Sequence, residues 1–318
     1  MDDRICFAFS PLRDAPPAEI VAWSRRAEEL GYEAVFIPES FNDSLAYAQA
    51  VAQATTRLQV GTAITNVYLR HPTLLAQQAA AVQEFSGGRL LLGLGVGHRV
   101  VNQSLGIEMG DPLQKMREVI GTLRDAFVKG PHQPRPKTPP RLLAAALSPR
   151  MVDLAGELAD GVIFNLFPVE RYRRAIPWLH RGARRSGRDP KTIEVLHFTT
   201  CYFGADRTAC LHEARRMLAR YANLQFYGNM LAQTGFETEV ETVRAAWRAK
   251  DVAAAEGAVS DAMAEAVTLV GDPAGCRQRI RAYRMAGADR VIVFPNPVGE
   301  SRAAAVERAL VGLRPRAA

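Results

Sequence analysis

The feature that most constrains this chain is a rhythm: short apolar runs alternate with longer stretches of helical periodicity, eight times over. The apolar runs are residues 5–10, 33–38, 58–65, 89–94, 141–146, 161–165, 192–203 and 290–294. Between them, residues 18–30 place Ile20, Val21, Trp23, Ala27 and Leu30 at helical spacing and stop at Gly31, a glycine end signal. Residues 44–55, 72–85, 112–128, 151–158, 169–186, 273–286 and 301–313 read the same way. Near-continuous apolar strands imply a parallel sheet covered on its outer face. Eight strand–helix units favour closure. The expected fold class is therefore α/β, a single (β/α)8 TIM barrel over residues 1–318. Residues 206–268 are long, helical and Ala-rich, and are expected as a helical insertion after the seventh strand. The proline-rich stretch 130–140 is expected as a surface loop, not a domain boundary.

The 318 residues leave room for such an insertion, since a bare barrel needs about 250. A composition that is 48% hydrophobic and 23% charged suits a chain with a large core. No run of about 18 uncharged apolar residues occurs, so no membrane span is expected. Met1-Asp2-Asp3-Arg4 leads straight into the first apolar run, which predicts no signal peptide and a cytoplasmic protein. Cys6, Cys201, Cys210 and Cys276 form no C-x-x-C pair, and the six histidines form no H-E-x-x-H. Neither a disulfide framework nor a metal site is expected. The net charge of +7 admits an anionic partner or a merely basic surface. Its arginines, such as Arg171, Arg173, Arg174, Arg181, Arg184 and Arg185, fall in a helix-like stretch without a nucleic-acid motif, so no nucleic acid is expected.

In a barrel, chemistry belongs to the residues just after each strand, because those loops converge on one face. Three such places carry loud side chains. Glu39 follows the second strand, where a carboxylate can anchor a ring N–H or move a proton; it could equally serve a helix N-terminus. Gly93-Leu94-Gly95-Val96-Gly97-His98-Arg99 follows the fourth. Its glycines let backbone approach phosphate or a flat ring, but the spacing is G-x-G-x-G and no Rossmann unit completes it. His98 titrates near neutrality and Arg99 is permanently charged. The third place is residues 61–72, including Thr65, Asn66, Tyr68 and Arg70, where Asn66 and Arg70 could be merely solvated. No Ser-His-Asp set, P-loop lysine or paired metal carboxylates can be argued from spacing, which favours a borrowed cofactor.

Together these segments resemble the luciferase-like superfamily of flavin and deazaflavin barrels, and within it the methylenetetrahydromethanopterin reductases and related F420-dependent oxidoreductases. The resemblance runs through Ala27-Glu28-Glu29-Leu30-Gly31-Tyr32-Glu33, Thr65-Asn66-x-Tyr68-x-Arg70-x-Pro72, Ser86-Gly87-Gly88-Arg89-Leu90-x-Leu92-Gly93-x-Gly95, Ala155-Gly156-Glu157-x-x-Asp160-Gly161, and Asp261-Ala262-Met263 leading to Val270-Gly271-Asp272-Pro273. It implies a ring lying across the strand ends, backed by a bulge in the third strand with a non-proline cis peptide near Ala63 and Ile64. Glu39 matches the family's acidic residue after the second strand, and Gly95, Val96, Gly97 and His98 match the turn after the fourth; with Ser40, Thr65 and Asn66 they are expected to bind the cofactor. Ala145, Ala146 and Leu147 would run along the cofactor's side chain and phosphate, and Asn165 is a further expected cofactor contact. Two positions depart from the family pattern: Glu39-Ser40 stands where many deazaflavin enzymes have Asp-His, and His98 stands where the methanopterin reductases carry a carboxylate. The resemblance implies F420 as cofactor, a small organic substrate, and a homodimer through early helices; Glu39, anchoring the ring or relaying a proton, and His98, as a second acid/base, are the expected catalytic residues. The basic charge would suit the coenzyme's polyglutamate tail. FMN and a luciferase-like monooxygenase reaction is the alternative, and a non-catalytic ligand-binding barrel the second.

Overall fold

The computed structural model describes residues 4–11, 15–39, 42–129 and 136–315. Ser40, expected at the cofactor, and residues 130–135 of the proline-rich stretch lie outside these. The strands are β1 (Ile5–Ala8), β2 (Ala34–Ile37), β3 (Gln59–Thr62), β4 (Thr65–Asn66), β5 (Leu90–Gly95), β6 (Arg141–Ala145), β7 (Gly161–Asn165), β8 (Glu194–Phe203), β9 (Leu269–Gly271) and β10 (Arg290–Asn296). They pair in parallel in the order β10-β1-β2-β3-β5-β6-β7-β8, and β8 pairs back to β10, which closes the barrel. β4 continues the line of β3 beside β5, and β9 pairs with the far end of β8.

The strands are apolar on both sides because each side faces a different core. Alternate residues point inward, and Cys6, Ala8, Ala34, Phe36, Leu91, Leu143, Ile163, Leu196, Phe198 and Ile292 make a buried cluster of their own within the barrel. The intervening residues, among them Phe7, Val35, Ile37, Val60, Leu92, Val162, Val195 and Val291, join a larger core beneath the helices. A full period-2 run buried on both faces therefore reads as one unbroken apolar word in the sequence.

Polar groups close the lower end. Arg290, 5% exposed, lies 2.7 Å from Glu194 and donates to the side-chain oxygen Oε1 of Gln59 at 2.5 Å. Arg141 pairs with the same Glu194 at 2.7 Å. All four side chains stand at inward positions on the first residues of their strands, so the charges satisfy one another where the apolar layers stop.

The surrounding helices are α1 (Pro17–Glu29), α2 (Ser44–Ala54), α3 (Pro72–Phe85), α4 (Arg99–Ser104), α5 (Pro112–Lys129), α6 (Pro149–Leu158) and α7 (Tyr172–Arg185). They continue with α8 (Arg207–Asn223), α9 (Gln225–Leu231), α10 (Glu237–Arg248), α11 (Val252–Gly257), α12 (Asp261–Val267), α13 (Pro273–Ala286) and α14 (Arg302–Gly312). Asp43, Ser148, Asp206, Asp272 and Ser301 each cap a helix by accepting backbone N–H bonds. Such caps satisfy donors that the first turn cannot pair. Five of the helices, α8–α12, lie between β8 and β9, within the stretch 206–268. The four cysteines are buried free thiols. No helix among the described residues is long and apolar enough to cross a membrane.

Candidate functional site

The expected third strand is interrupted. β3 stops at Thr62, the Ala63–Ile64 peptide is cis, and β4 resumes at Thr65. The bulge is held on both sides by backbone: Ala63 N–H donates to Ile37 O at 3.1 Å, and Glu39 N–H donates to Ile64 O at 3.2 Å. Its seat is Gly95 at the end of β5. A Cβ there would lie 2.6 Å from Ile64 Cγ1, so any side chain at this position would push the bulge away. Gly97 is needed twice over: its φ is +63°, and a Cβ would lie 2.7 Å from Asn66 Nδ2.

Behind the bulge sits a sealed polar network. The Glu39 side chain is 2% exposed, and one oxygen accepts from Arg70 at 2.6 Å. Its other oxygen accepts from Ser44 Oγ at 2.9 Å and from Asn66 N–H at 3.1 Å. Burial raises the Glu39 carboxyl above its ordinary range, opposed by the Arg70 guanidinium and by these hydrogen bonds. Arg70 reaches on to Asp43 at 2.8 Å. Thr65 Oγ1 shares a bond with Ser44 Oγ at 2.8 Å. Asn66 Nδ2 donates to Asn102 Oδ1 at 2.8 Å, and Asn102 Nδ2 donates to Val96 O at 2.9 Å, tying β4 to the turn after β5. Arg70 is thus a buried half of an ion pair, not the solvated residue that a bare loop would allow. Glu39, Thr65 and Asn66 spend their polar atoms on the protein itself.

Further round the mouth the lining changes. Continuing the inward alternation past β1 and along β7 places Ser10 and Asn165 on the barrel axis. Ser10 Oγ and Asn165 Oδ1 are buried without a hydrogen-bond partner among the described residues. Asn165 Nδ2 donates to Tyr227 Oη of α9 at 2.7 Å. Tyr227 stands edge-on to Tyr221 of α8, with ring centroids 4.9 Å apart. The half-buried His98 ring lies 5.8 Å from that of Tyr227 and 6.0 Å from that of Tyr221. Burial lowers the His98 pKa, so its imidazole is neutral near pH 7. Ala145 faces the barrel interior, whereas Ala146 turns outward and donates its N–H to Ile163 O at 3.1 Å. Leu147 is half-buried in the following loop.

The structure thus brings Ala63, Ile64, Gly95, Val96, Gly97, His98, Ala145, Leu147 and Asn165 to one strand-end face, on the consecutive strands from β3 to β7 and the loops that follow them. Tyr221, Tyr227 and Asn102 escaped the sequence reading. Asn102 sits on a helix turn that carries no motif. The two tyrosines lie more than a hundred residues from His98, in a segment whose only sequence signal is helical periodicity.

A closed parallel barrel with a bulged third strand and a glycine turn after the fourth is a barrel that works from its strand ends. Residues 6–290 match the luciferase-like monooxygenase family, and the chain belongs to that family. It is 26% identical over 311 residues to the 5,10-methylenetetrahydromethanopterin reductase of Methanolobus tindarius, covering 92% of this chain and 94% of that one. It is 27% identical to the enzyme of the same name from Methanopyrus kandleri, with 97% of each chain covered. Among solved structures, the coenzyme F420-dependent tetrahydromethanopterin reductase of Methanopyrus kandleri superposes with a TM-score of 0.79 at 24% identity, over 98% of this chain and 97% of that one. An F420-dependent secondary alcohol dehydrogenase bound to an F420–acetone adduct superposes with a TM-score of 0.77 at 19% identity, over 99% and 100%. A monooxygenase from Streptomyces bottropensis gives 0.65 at 20% identity, over 97% and 98%. The relatives and neighbours named here are oxidoreductases.

Proposed function

We propose that this protein is an F420-dependent oxidoreductase that passes a hydride between the deazaflavin and a small organic substrate. The observation that carries the reading is the Ala63–Ile64 bulge seated on Gly95, at the same end of the barrel as two unpaired polar atoms, Ser10 Oγ and Asn165 Oδ1. An apolar platform with free hydrogen-bonding groups at its margin fits a flat heterocycle that has N–H and C=O groups on its edge. The solved neighbours named as F420-dependent, matched nearly end to end, support the deazaflavin over other rings.

When bound, the deazaflavin supplies the carbon that gives or takes the hydride. The protein's own part is geometric and electrostatic. Ile64 and Gly95 present the supporting surface, and the Glu39–Arg70 pair fixes the bulge from behind, so Glu39 positions the platform. Neutral His98 can accept a proton from a substrate C–OH or, in reverse, return it to the forming alkoxide. Tyr221 and Tyr227 give the pocket an aromatic wall and exclude water from that side. The reading carries a homodimer as well, with Leu74, Phe85, Val100 and Leu105 among the exposed apolar side chains that an interface would cover. It also carries a cytoplasmic location.

An FMN-dependent monooxygenase is the second reading, favoured by the Streptomyces bottropensis neighbour. Titrating the purified protein with F420 and with FMN, following fluorescence quenching, separates the two. Quenching by F420 and oxidation of its reduced form without oxygen uptake is the expected result. Tight FMN binding with no response to F420 overturns the proposal.

A further inference from the structure

Arg171 is a buried cation with no anion beside it among the described residues. It is 4% exposed, on the short turn between β7 and α7. Its Nη1 donates to Gln233 Oε1 at 3.0 Å and its Nη2 to Leu147 O at 3.4 Å, while Nε has no partner. Its guanidinium carbon lies 5.5 Å from the Phe167 ring and 5.9 Å from the Trp178 ring. Among the described residues no carboxylate contacts it; Glu170, its neighbour in sequence, is exposed. Ring faces and neutral carbonyls compensate a guanidinium only in part, and buried charges in folded proteins are normally paired. Burial accordingly lowers the Arg171 pKa, and the nearby Arg174 adds to the effect.

The position is as informative as the charge. Leu147 lies in the loop after β6 and Phe167 in the loop after β7, so the guanidinium belongs to the strand-end face. Ser148 caps α6 directly after Leu147, and the positive end of that ten-residue helix adds to the same field. Gln233, the residue covering Nη1, is exposed and stands beside Gly235, whose φ of +101° breaks the helical path.

We propose that Arg171 receives an anionic group, a phosphate, of a ligand bound at the strand ends, and that Gln233 is the neutral group this anion displaces. The inference rests on the deazaflavin reading only for the source of the phosphate, which is the cofactor's side chain; an anionic substrate is the other source.

Binding of F420 and of its phosphate-free deazariboflavin chromophore is measured by fluorescence quenching on the wild type, R171Q, R171K and Q233A. Inorganic phosphate is titrated in parallel against thermal unfolding. One lost charge-assisted bond to phosphate corresponds to about tenfold or more in affinity. R171Q should therefore weaken F420 by that factor and leave the chromophore unchanged, with R171K between. Q233A, which alters an exposed side chain and leaves Arg171 in place, should tighten F420 and enhance stabilisation by phosphate. Phosphate stabilisation that Q233A enhances and R171Q abolishes, with neither chromophore weakened in R171Q, assigns the anion to substrate. Equal loss of both chromophores in R171Q, or no loss together with unchanged Q233A, overturns the proposal. If neither chromophore binds the wild type, the deazaflavin reading fails alone. The phosphate arm then decides Arg171, and no stabilisation of the wild type by phosphate refutes it.

Discussion

Replacing Arg70 with Met isolates the charge behind the bulge, because the aliphatic stem and its packing stay while the guanidinium goes. Glu39 is then left 2% exposed with only the Ser44 hydroxyl and the Asn66 amide as donors. Removing one partner of a buried pair costs about 3–5 kcal/mol. Protonation sets a ceiling on that cost. Taking Glu39 from its ordinary value of 4.5 to the neutral form at pH 7 costs about 3.4 kcal/mol, at about 1.36 kcal/mol per pH unit. The ceiling is about 2 kcal/mol at pH 6 and about 0.7 kcal/mol at pH 5. In R70M the native carboxyl titrates above its unfolded counterpart, so between those two values the folded state holds the extra proton. Stability lost to the substitution is then regained as pH falls, the reverse of ordinary acid destabilisation.

Urea unfolding of wild type and R70M, followed by far-UV circular dichroism at three pH values between 5 and 7, measures this difference directly. The expected penalty is about 3 kcal/mol at neutrality, shrinking steadily toward acid. The double variant E39Q/R70M should recover most of it at pH 7, because no buried charge remains. A penalty under about 1 kcal/mol at pH 7 would place the pair with surface ion pairs. A penalty independent of pH would show that what R70M loses is packing. Either result refutes the account of Glu39 as an ionised group held for positioning.

Three other perturbations bear on the same architecture. G95A places a Cβ 2.6 Å from Ile64 Cγ1, and this overpacking should cost about 1–3 kcal/mol in urea unfolding and weaken cofactor binding more than R70M does per unit of stability lost. Y227F removes the oxygen that Asn165 Nδ2 donates to, which should cost about 1 kcal/mol in urea unfolding and weaken binding of the ring whose edge Asn165 Oδ1 meets. His197 is fully buried, stacked 3.6 Å from the Tyr283 ring and bonded to Tyr172 Oη at 2.8 Å, and burial holds its pKa well below 6.5. The unfolded chain therefore binds a proton that the native state refuses, and stability present above pH 6.5 should fall on acidification by up to about 1.4 kcal/mol per pH unit, a slope that H197Q flattens.

The barrel could be read because its signal is repeated and local. A strand buried on both faces is a short unbroken apolar run, and a helix lying on it shows its own period, so eight units announce themselves one at a time. The sequence could also point to the bulge, but only through the family resemblance: nothing in the hydropathy of Gly61-Thr62-Ala63-Ile64-Thr65 marks a break, and residues 58–65 read as one continuous strand. The split into β3 and β4 depends on what β5 presents opposite, a glycine whose missing Cβ makes room for Ile64. That is a pairing across about thirty residues of chain. Periodicity within one segment carries no trace of it.

The site was legible to the extent that its residues follow strands, and this explains which parts escaped. Glu39 stands where a rim carboxylate is expected, but what it does depends on Arg70, which comes from the next loop. The same two side chains left in solvent would be an accessible acid and a loose cation. Brought together at 2.6 Å and excluded from water, they become a fixed dipolar brace. Arg171 makes the converse point. In the sequence it is one arginine in a basic helix, and Arg181 and Arg185 of that helix do pair outward with Asp153. Ten residues earlier, just before that helix begins, the chain buries an arginine against Phe167 and Trp178 with no carboxylate in contact among the described residues. A residue's charge is written in the sequence, but whether that charge is spent or free is decided by the loops that close around it. In this barrel the spent pair lies behind the platform and the free cation lies at its rim.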